Sequence, residues 1–288
     1  MAEAPAVHRL QLISAQIRLE LLDTFSYEAV HHFGGCFSCV EIVACCYFHA
    51  MRFDRGQAGQ PGRDRFIMSK GHAVPTQYVA LSMCGFFPRE ELKTLKCLGS
   101  RLQGHPDMRK TPGIEAPTGS LGQGLSFANG VAMAAKLDGF SPRIFVLLGD
   151  GELHEGQVWE AALTSAHRSL GGICVIVDAN GYQSQGAVES IKSVEPIAAK
   201  WQAFGWHTEE VDGHDVAGLS AALDKAGTRK KPLAIIARTV KGKGLPSLED
   251  TFALHNASIT QGQYAAARAR LGEEVLRLER EGQVHAHR

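Results

Sequence analysis

The sequence has no charge bias. Its 288 residues carry 30 basic and 30 acidic side chains, for a formal net charge of 0. No overall field therefore draws the chain to nucleic acid or to a membrane surface, and an anionic ligand would have to be held by local features. Long apolar runs are missing too. Nothing approaches the roughly 20 residues that span a bilayer, and the opening MAEAPAVHRLQ lacks the basic-then-apolar pattern of a secretory leader. No repeat or low-complexity segment appears. Apolar residues at 44% and charged residues at 21% are ordinary for a soluble globular protein. The length allows one large domain or two small ones. We expect one domain over 1–288, with a core at about 8–262 and a carboxyl-terminal surface helix and tail at 263–288. The seven cysteines, an odd number spread along the chain, read as reduced thiols in a cytoplasm. Cys36 and Cys39 have the spacing of a redox pair or half a zinc site, but no second pair matches it, so both are read as structural.

What the sequence does contain is a change of pattern. Leu10, Ile13, Ile17, Leu21 and Phe25 mark one face of a helix over 10–30. A turn at Gly34-Gly35 is expected to lead into another helix. From Ile144 onward, apolar runs at Ile144–Leu148, Ile173–Val177, Trp206–Val211 and Leu233–Thr239 alternate with helical stretches at about 157–169, 196–204 and 216–226. That alternation predicts an α/β fold: a doubly wound, mostly parallel sheet with helices on both faces. Ligands in such sheets sit at the carboxyl ends of the strands. Functional residues should therefore gather just after Leu148, Val177 and Thr239. A charged surface helix is expected over Gln263–Arg280, with a frayed tail whose His285 and His287 bind no metal.

Gly149-Asp150-Gly151 directly follows the first of these runs, and the next ends in Asp178-Ala179-Asn180-Gly181-Tyr182. This is a βαβ unit with an acid at one strand end and an amide at the next. A hard divalent cation takes oxygen ligands, and magnesium combines one or two protein oxygens with phosphate oxygens. Asp150, Asn180 and a backbone carbonyl near Tyr182 would suit it, with the flanking glycines letting amides approach a diphosphate. The alternative is a tight turn that binds nothing, since short motifs match by chance.

Longer segments weigh against chance. GDGELHEGQVWEAALTSAH, SKGHAVPTQY, LQGHPD and TGSLGQGLSFANGVAMAAKL together resemble transketolase, a thiamine diphosphate- and magnesium-dependent family, from about His31 to His255. The similarity extends only to the family's first domain, which grips the diphosphate, so the chain resembles the amino-terminal subunit of a split transketolase. The resemblance implies Asp150, Asn180 and the Tyr182 carbonyl as magnesium ligands, and the Gly151 amide as a diphosphate donor. It implies Gly119 and Leu121 as backbone contacts to the aminopyrimidine, with a helix starting at Ser120 aimed at that region. His32, His72, His105 and His255 would line the channel to the reacting carbon, where imidazole titrates in a useful range. His72 and His255 would also assist cofactor binding. Lys70 and Lys241 would flank the diphosphate, and Glu155, with Glu160 less clearly, would lie at a subunit interface near the cofactor.

The implied activity is transfer of a two-carbon ketol unit between sugar phosphates. It requires a carboxyl-terminal transketolase subunit carrying the pyrimidine-binding and third domains, with α2β2 as the expected assembly. Three positions depart from the family pattern: Phe33 replaces a proline, Asn256 a glycine, and an aspartate is replaced near Gln185. The first two are expected near the channel and bear on the choice of sugar. Alternatives are another thiamine diphosphate-dependent transfer onto a non-standard acceptor and a non-catalytic binding subunit. Deoxyxylulose-phosphate synthases and 2-oxo acid decarboxylases are more distant. A nicotinamide-binding domain is disfavoured because Gly119–Gly124 has the wrong spacing and no clear preceding strand.

Overall fold

The computed structural model describes residues 4–25, 29–54 and 57–286, with side chains from 5 to 283 within those ranges. In chain order the elements are α1 (Ala4–Thr24), α2 (Phe33–Ser38), α3 (Val40–Cys45), β1 (Arg65–Met68), α4 (Val74–Met83), α5 (Gly124–Leu137), β2 (Ile144–Gly149) and α6 (Gly156–His167). There follow β3 (Ile173–Ala179), a two-stranded ribbon of β4 (Tyr182–Gln183) and β5 (Gly186–Ala187), α7 (Val188–Lys192), α8 (Ile197–Ala203), β6 (His207–Asp212), α9 (Val216–Leu223), β7 (Leu233–Arg238) and α10 (Gln261–Ala286).

The sheet runs β1-β2-β3-β7-β6, with every neighbouring pair parallel. Its central strands are apolar throughout because both faces are covered. Along β2, Phe145 and Leu147 enter one apolar cluster while Ile144, Val146 and Leu148 enter the other. Residues of α1, α3, α4 and α9 complete the first cluster, and those of α5, α6 and α8 the second. All four expected runs are strands, but β6 is the sheet edge and its residues are half-buried or exposed rather than buried. The opposite edge, β1, was not legible: it has four residues and follows a charged Arg63-Asp64 pair.

Three helical expectations are corrected. Gly34 and Gly35 lie inside α2 rather than in a turn before it. A helix tolerates them here because a Cβ on Gly34 would stand 2.7 Å from Lys241 Cε, so close packing requires the glycine. The helix expected to begin at Ser120 begins at Gly124. The last helix does not fray after Arg280 but continues to Ala286, laid along α1 with Ala267, Leu271 and Leu278 buried. His285 falls within it, while His287 lies outside the described residues. Among the described residues, no helix is long and apolar enough to cross a membrane.

A buried ion pair ties α1 to α3. Arg18 Nη2 donates to both carboxylate oxygens of Glu41 at 2.7 Å. Burial alone would raise the Glu41 carboxyl, but Arg18 and His214 more than offset this and hold it at about 2, against an ordinary 4.5. Folding thus lowers this pKa. The stability it contributes is complete above about 4.5 and is lost as pH falls through about 2. A shift of that size corresponds to roughly 3 kcal/mol. We expect Glu41→Gln to destabilise the chain by that order at neutral pH, as read from denaturant unfolding. The gap to the unsubstituted chain should shrink as the pH is lowered toward about 2; a gap constant across the acid range would contradict the assignment.

Candidate cofactor site

Four strand ends converge at the carboxyl edge of the sheet. Gly149 of β2 pairs in register with Asp178 of β3, which places Asp150 beside the turn that carries Asn180. The Asp150 carboxylate binds both turns: Oδ1 accepts the Gly151 N–H at 2.8 Å and Oδ2 accepts the Gly181 N–H at 2.6 Å. Asn180 Oδ1 accepts the Tyr182 N–H at 3.1 Å, and its Nδ2 donates to Asp178 Oδ2 at 3.0 Å. The structure therefore brings Asp150, Asn180 and Tyr182 together. The Gly151 amide is already engaged by Asp150, so donating to a diphosphate would require sharing that bond.

Asp178, which the motif reading passed over, is the hub of the edge. Its carboxylate is fully buried and accepts the Lys70 ammonium, the Ser38 hydroxyl at 2.6 Å and the Thr239 hydroxyl. Burial would raise its carboxyl, but Lys70 outweighs this and holds it below the usual range. Lys70, 2% exposed, also donates to the Gly35 carbonyl at 2.8 Å. Its charge is matched by Asp178, and it lines the same cavity as Asp150 and Lys241, flanking the site as expected. Lys241 is buried as well, not a solvated surface lysine. It donates to the Tyr182 carbonyl at 3.0 Å and to His255 Nδ1 at 3.1 Å. Burial, followed by the nearby Lys70 ammonium, lowers it from 10.5 to about 8, so it remains mainly a cation at neutral pH.

Glu152, also unremarked in the sequence, fastens the glycine-rich loop. Its Oε1 accepts the Ser69 hydroxyl at 2.5 Å and the Gly122 N–H at 2.8 Å, while Oε2 accepts the Gly149 N–H at 3.1 Å. One carboxylate thereby joins the segment after β1, the loop holding Gly119 and Leu121, and β2. Gly119 adopts φ 132°, and a Cβ there would come within 2.5 Å of His105. Glu152→Ala leaves two buried amides and a hydroxyl unpaired, each worth about 1–3 kcal/mol. We expect faster hydrogen exchange at the Gly122 and Gly149 amides in that variant; unchanged exchange would show that the loop is held otherwise. Both donors were legible only as glycines, and an acid one residue past Gly-Asp-Gly looks the same whether buried or exposed.

Three of the four histidines form a triangle. Ring centroids are 5.0 Å apart for His32 and His72, 5.2 Å for His72 and His255, and 5.7 Å for His32 and His255. The more exposed His105 lies 6.4 Å from His32. Burial is the main cause that lowers all four; His32 falls to about 4 and His255 to about 3. In the chain by itself these imidazoles are neutral at pH 7, so they offer a donor and an acceptor each rather than titrating near neutrality. Because a Lys241 ammonium can only donate, His255 Nδ1 is the acceptor and its proton is on Nε2.

Other expected positions fall outside this cluster. Phe33 is fully buried, edge-on to Phe25 at 4.9 Å, so it packs the core instead of lining the channel. Asn256, Glu155 and Glu160 are exposed. Gln185 accepts the Ser184 hydroxyl at 2.6 Å in the β4–β5 ribbon. All seven cysteines are free; Cys36 and Cys39 are buried, with their thiols pushed up by burial, Cys39 to about 11.

A cavity of about 200 Å³ lies among Asp150, Gly151, Asn180, Tyr182, Lys241 and Leu121. A larger one of about 470 Å³ opens at the amino ends of the strands beside Arg143 and Gly172 and contains none of these residues. The donor set fits a hard cation. Among the described residues no three histidine, cysteine or acidic groups are placed to hold a metal, so a cation at Asp150 would need amide, carbonyl and ligand oxygens to complete its shell. Burial, then the Asp178 charge, raise Asp150 from 3.8 to about 6. A positive charge at its oxygens would relieve that penalty, because it favours the ionised form.

Residues 9–279 match the family model described as transketolase, thiamine diphosphate binding domain. The chain is 41% identical over 259 residues to a 6-deoxy-6-sulfo-D-fructose transketolase subunit of Clostridium sp. (strain MSTE9), covering 90% of this chain and 94% of that protein. It is 38% identical over 276 residues to an apulose-4-phosphate transketolase subunit of Phocaeicola vulgatus, covering 96% and 98% respectively. Among solved structures, transketolase from Campylobacter jejuni superposes with a TM-score of 0.85 at 27% identity, over 94% of this chain. The chain spans only 45% of that transketolase.

Proposed function

This chain belongs to the transketolase family through its thiamine diphosphate-binding domain, and we propose accordingly that it is the cofactor-binding subunit of a two-subunit transketolase. The activity would be transfer of a two-carbon ketol unit from a ketose phosphate to an aldose phosphate. The observation that carries this reading is the placement of Asp150 and Asn180 at adjacent parallel strand ends, tied by the Gly181 N–H donating to Asp150. The similarity to two proteins named as subunits, over nearly their whole length, supports a partner polypeptide. The same reading takes the chain as a single domain, which the continuous five-stranded sheet supports, in an α2β2 assembly in the cytoplasm, a reducing setting with which its free thiols are compatible.

Thiamine diphosphate would supply the nucleophilic carbon and electron sink for carbon–carbon cleavage. Asp150, Asn180 and the Tyr182 carbonyl would hold magnesium, and Lys241 would add a cation near the diphosphate. His32, His72 and His255, neutral and close together, would bind and orient the hydroxyls and carbonyl of the sugar. Their low proton affinity suits hydrogen bonding to a neutral polyol, and an anionic diphosphate nearby would raise it toward the range of proton transfer. Glu155, exposed beside the glycine-rich loop, would meet the partner subunit.

The two relatives bear the names of different sugars, so the sugar phosphate is itself part of the proposal. We expect the purified chain to show no ketol transfer from xylulose 5-phosphate to ribose 5-phosphate. The chain combined with its partner polypeptide should form sedoheptulose 7-phosphate. Activity of the chain alone would overturn the two-subunit reading, and a cofactor-loaded pair inactive on these sugars would favour a non-standard acceptor.

A further inference from the structure

A side chain with no assigned role reaches the site from behind. His214 follows β6 and stands between the Arg18–Glu41 pair and the loop that carries Lys241. Its Nδ1 is 3.0 Å from Glu41 Oε2, and its Nε2 is 2.8 Å from the backbone nitrogen of Val240. The Val240 N–H can only donate, so Nε2 must present a lone pair. Nδ1 then carries the proton and donates to Glu41. The imidazole is thereby fixed as one neutral tautomer, with Glu41 ionised against Arg18. Lys241 is the next residue after Val240, and the same loop is tied to α2 by the Gly242 N–H donating to the Gly34 carbonyl at 3.1 Å.

We propose that His214 is a positioning residue for the cofactor site: through the Val240 amide it sets the loop that aims Lys241 at the Tyr182 carbonyl and His255. The inference rests on the cofactor-binding reading above. It acts on the site only through Val240, because His214 touches none of the expected cofactor or metal contacts. The charged groups on this side of the ring are Glu41 of α3, itself held by Arg18 of α1, and Asp212 of β6, whose carboxylate accepts the His214 backbone N–H at 2.8 Å.

Two near-isosteric replacements separate positioning from mere packing. His214→Gln can keep an acceptor where Nε2 stands, while His214→Asn can keep a donor where Nδ1 stands but leaves Val240 unpaired. Amide hydrogen exchange of the full chain, free of ligand, is the first readout. Val240 should stay protected in His214→Gln and exchange roughly tenfold or more faster in His214→Asn, as losing one buried hydrogen bond implies. Titration of the chain combined with its partner polypeptide, using thiamine diphosphate in excess magnesium, is the second. Affinity should be near that of the unsubstituted chain for His214→Gln and about tenfold weaker for His214→Asn. Equal protection and equal affinity in the two variants would overturn the inference. If the unsubstituted pair binds no cofactor while Val240 still responds as stated, the cofactor reading fails and the loop linkage stands.

Discussion

Asp150→Ala should abolish magnesium-dependent binding of thiamine diphosphate while leaving the chain folded. The carboxylate is the acidic member of the expected ligand set, and Asn180 and a carbonyl cannot replace its charge. Losing a direct ligand should weaken affinity by at least the roughly 100-fold that supporting residues around metals command. Effects on the cofactor-free chain nearly cancel. Folding raises this carboxyl from 3.8 to about 6. The ionised group therefore destabilises the chain above about pH 6, by on the order of 3 kcal/mol, and not below about pH 4. Removing it relieves that penalty but orphans the Gly151 and Gly181 amides, at about 1–3 kcal/mol each. Calorimetric titration paired with thermal unfolding reads both quantities. Retained affinity would show that the cation is held elsewhere, and a collapsed fold would show that Asp150 is structural.

The largest loss of stability should follow Lys70→Met. Its ammonium neutralises Asp178 in a setting where both side chains are 2% exposed or less. Removing one member of such a pair strands the other charge, with a penalty of about 3–5 kcal/mol. The Ser38, Thr239 and Asn180 bonds to Asp178 soften the loss without supplying a positive charge. The double variant Lys70→Met with Asp178→Asn should recover more than half of the stability, because no buried charge remains unpaired. Denaturant unfolding of the parent, the two single variants and the double variant closes the cycle. A single variant as stable as the parent would mean that Lys70 is not committed to Asp178 and could serve a diphosphate after all.

The sequence made the parallel sheet legible because β2, β3 and β7 are apolar runs buried on both faces. It also made Asp150 and Asn180 legible, since strand ends in such sheets are where ligands bind. Edge strands were harder. Four-residue β1 carries no distinctive pattern, and β6 (His-Thr-Glu-Glu-Val-Asp) is polar at most positions, as suits a half-exposed edge, so grouping it with the apolar runs overstated its burial. Gly34 and Gly35 looked like a turn because nothing local reveals that Lys241 passes against the helix there. For the same reason Phe33 looked like a channel residue: its neighbour His32 is at the site, and only the helix geometry turns the ring toward Phe25. Asp178, Glu152 and His214 stayed hidden because their partners, at Lys70, Ser69 and Val240, are distant in sequence. A buried polar hub is defined by such long-range bonds, which spacing cannot express.

The functional reading stands or falls on whether an acid and an amide from neighbouring strand ends clamp a metal-bridged diphosphate. Diffraction from crystals grown with thiamine diphosphate and manganese in place of magnesium decides this, since anomalous scattering locates the ion. We expect a single strong peak bonded to the side-chain oxygens of Asp150 and Asn180, with diphosphate density beside it. A peak coordinated by other residues, or a cofactor bound away from these two strand ends, would refute the clamp.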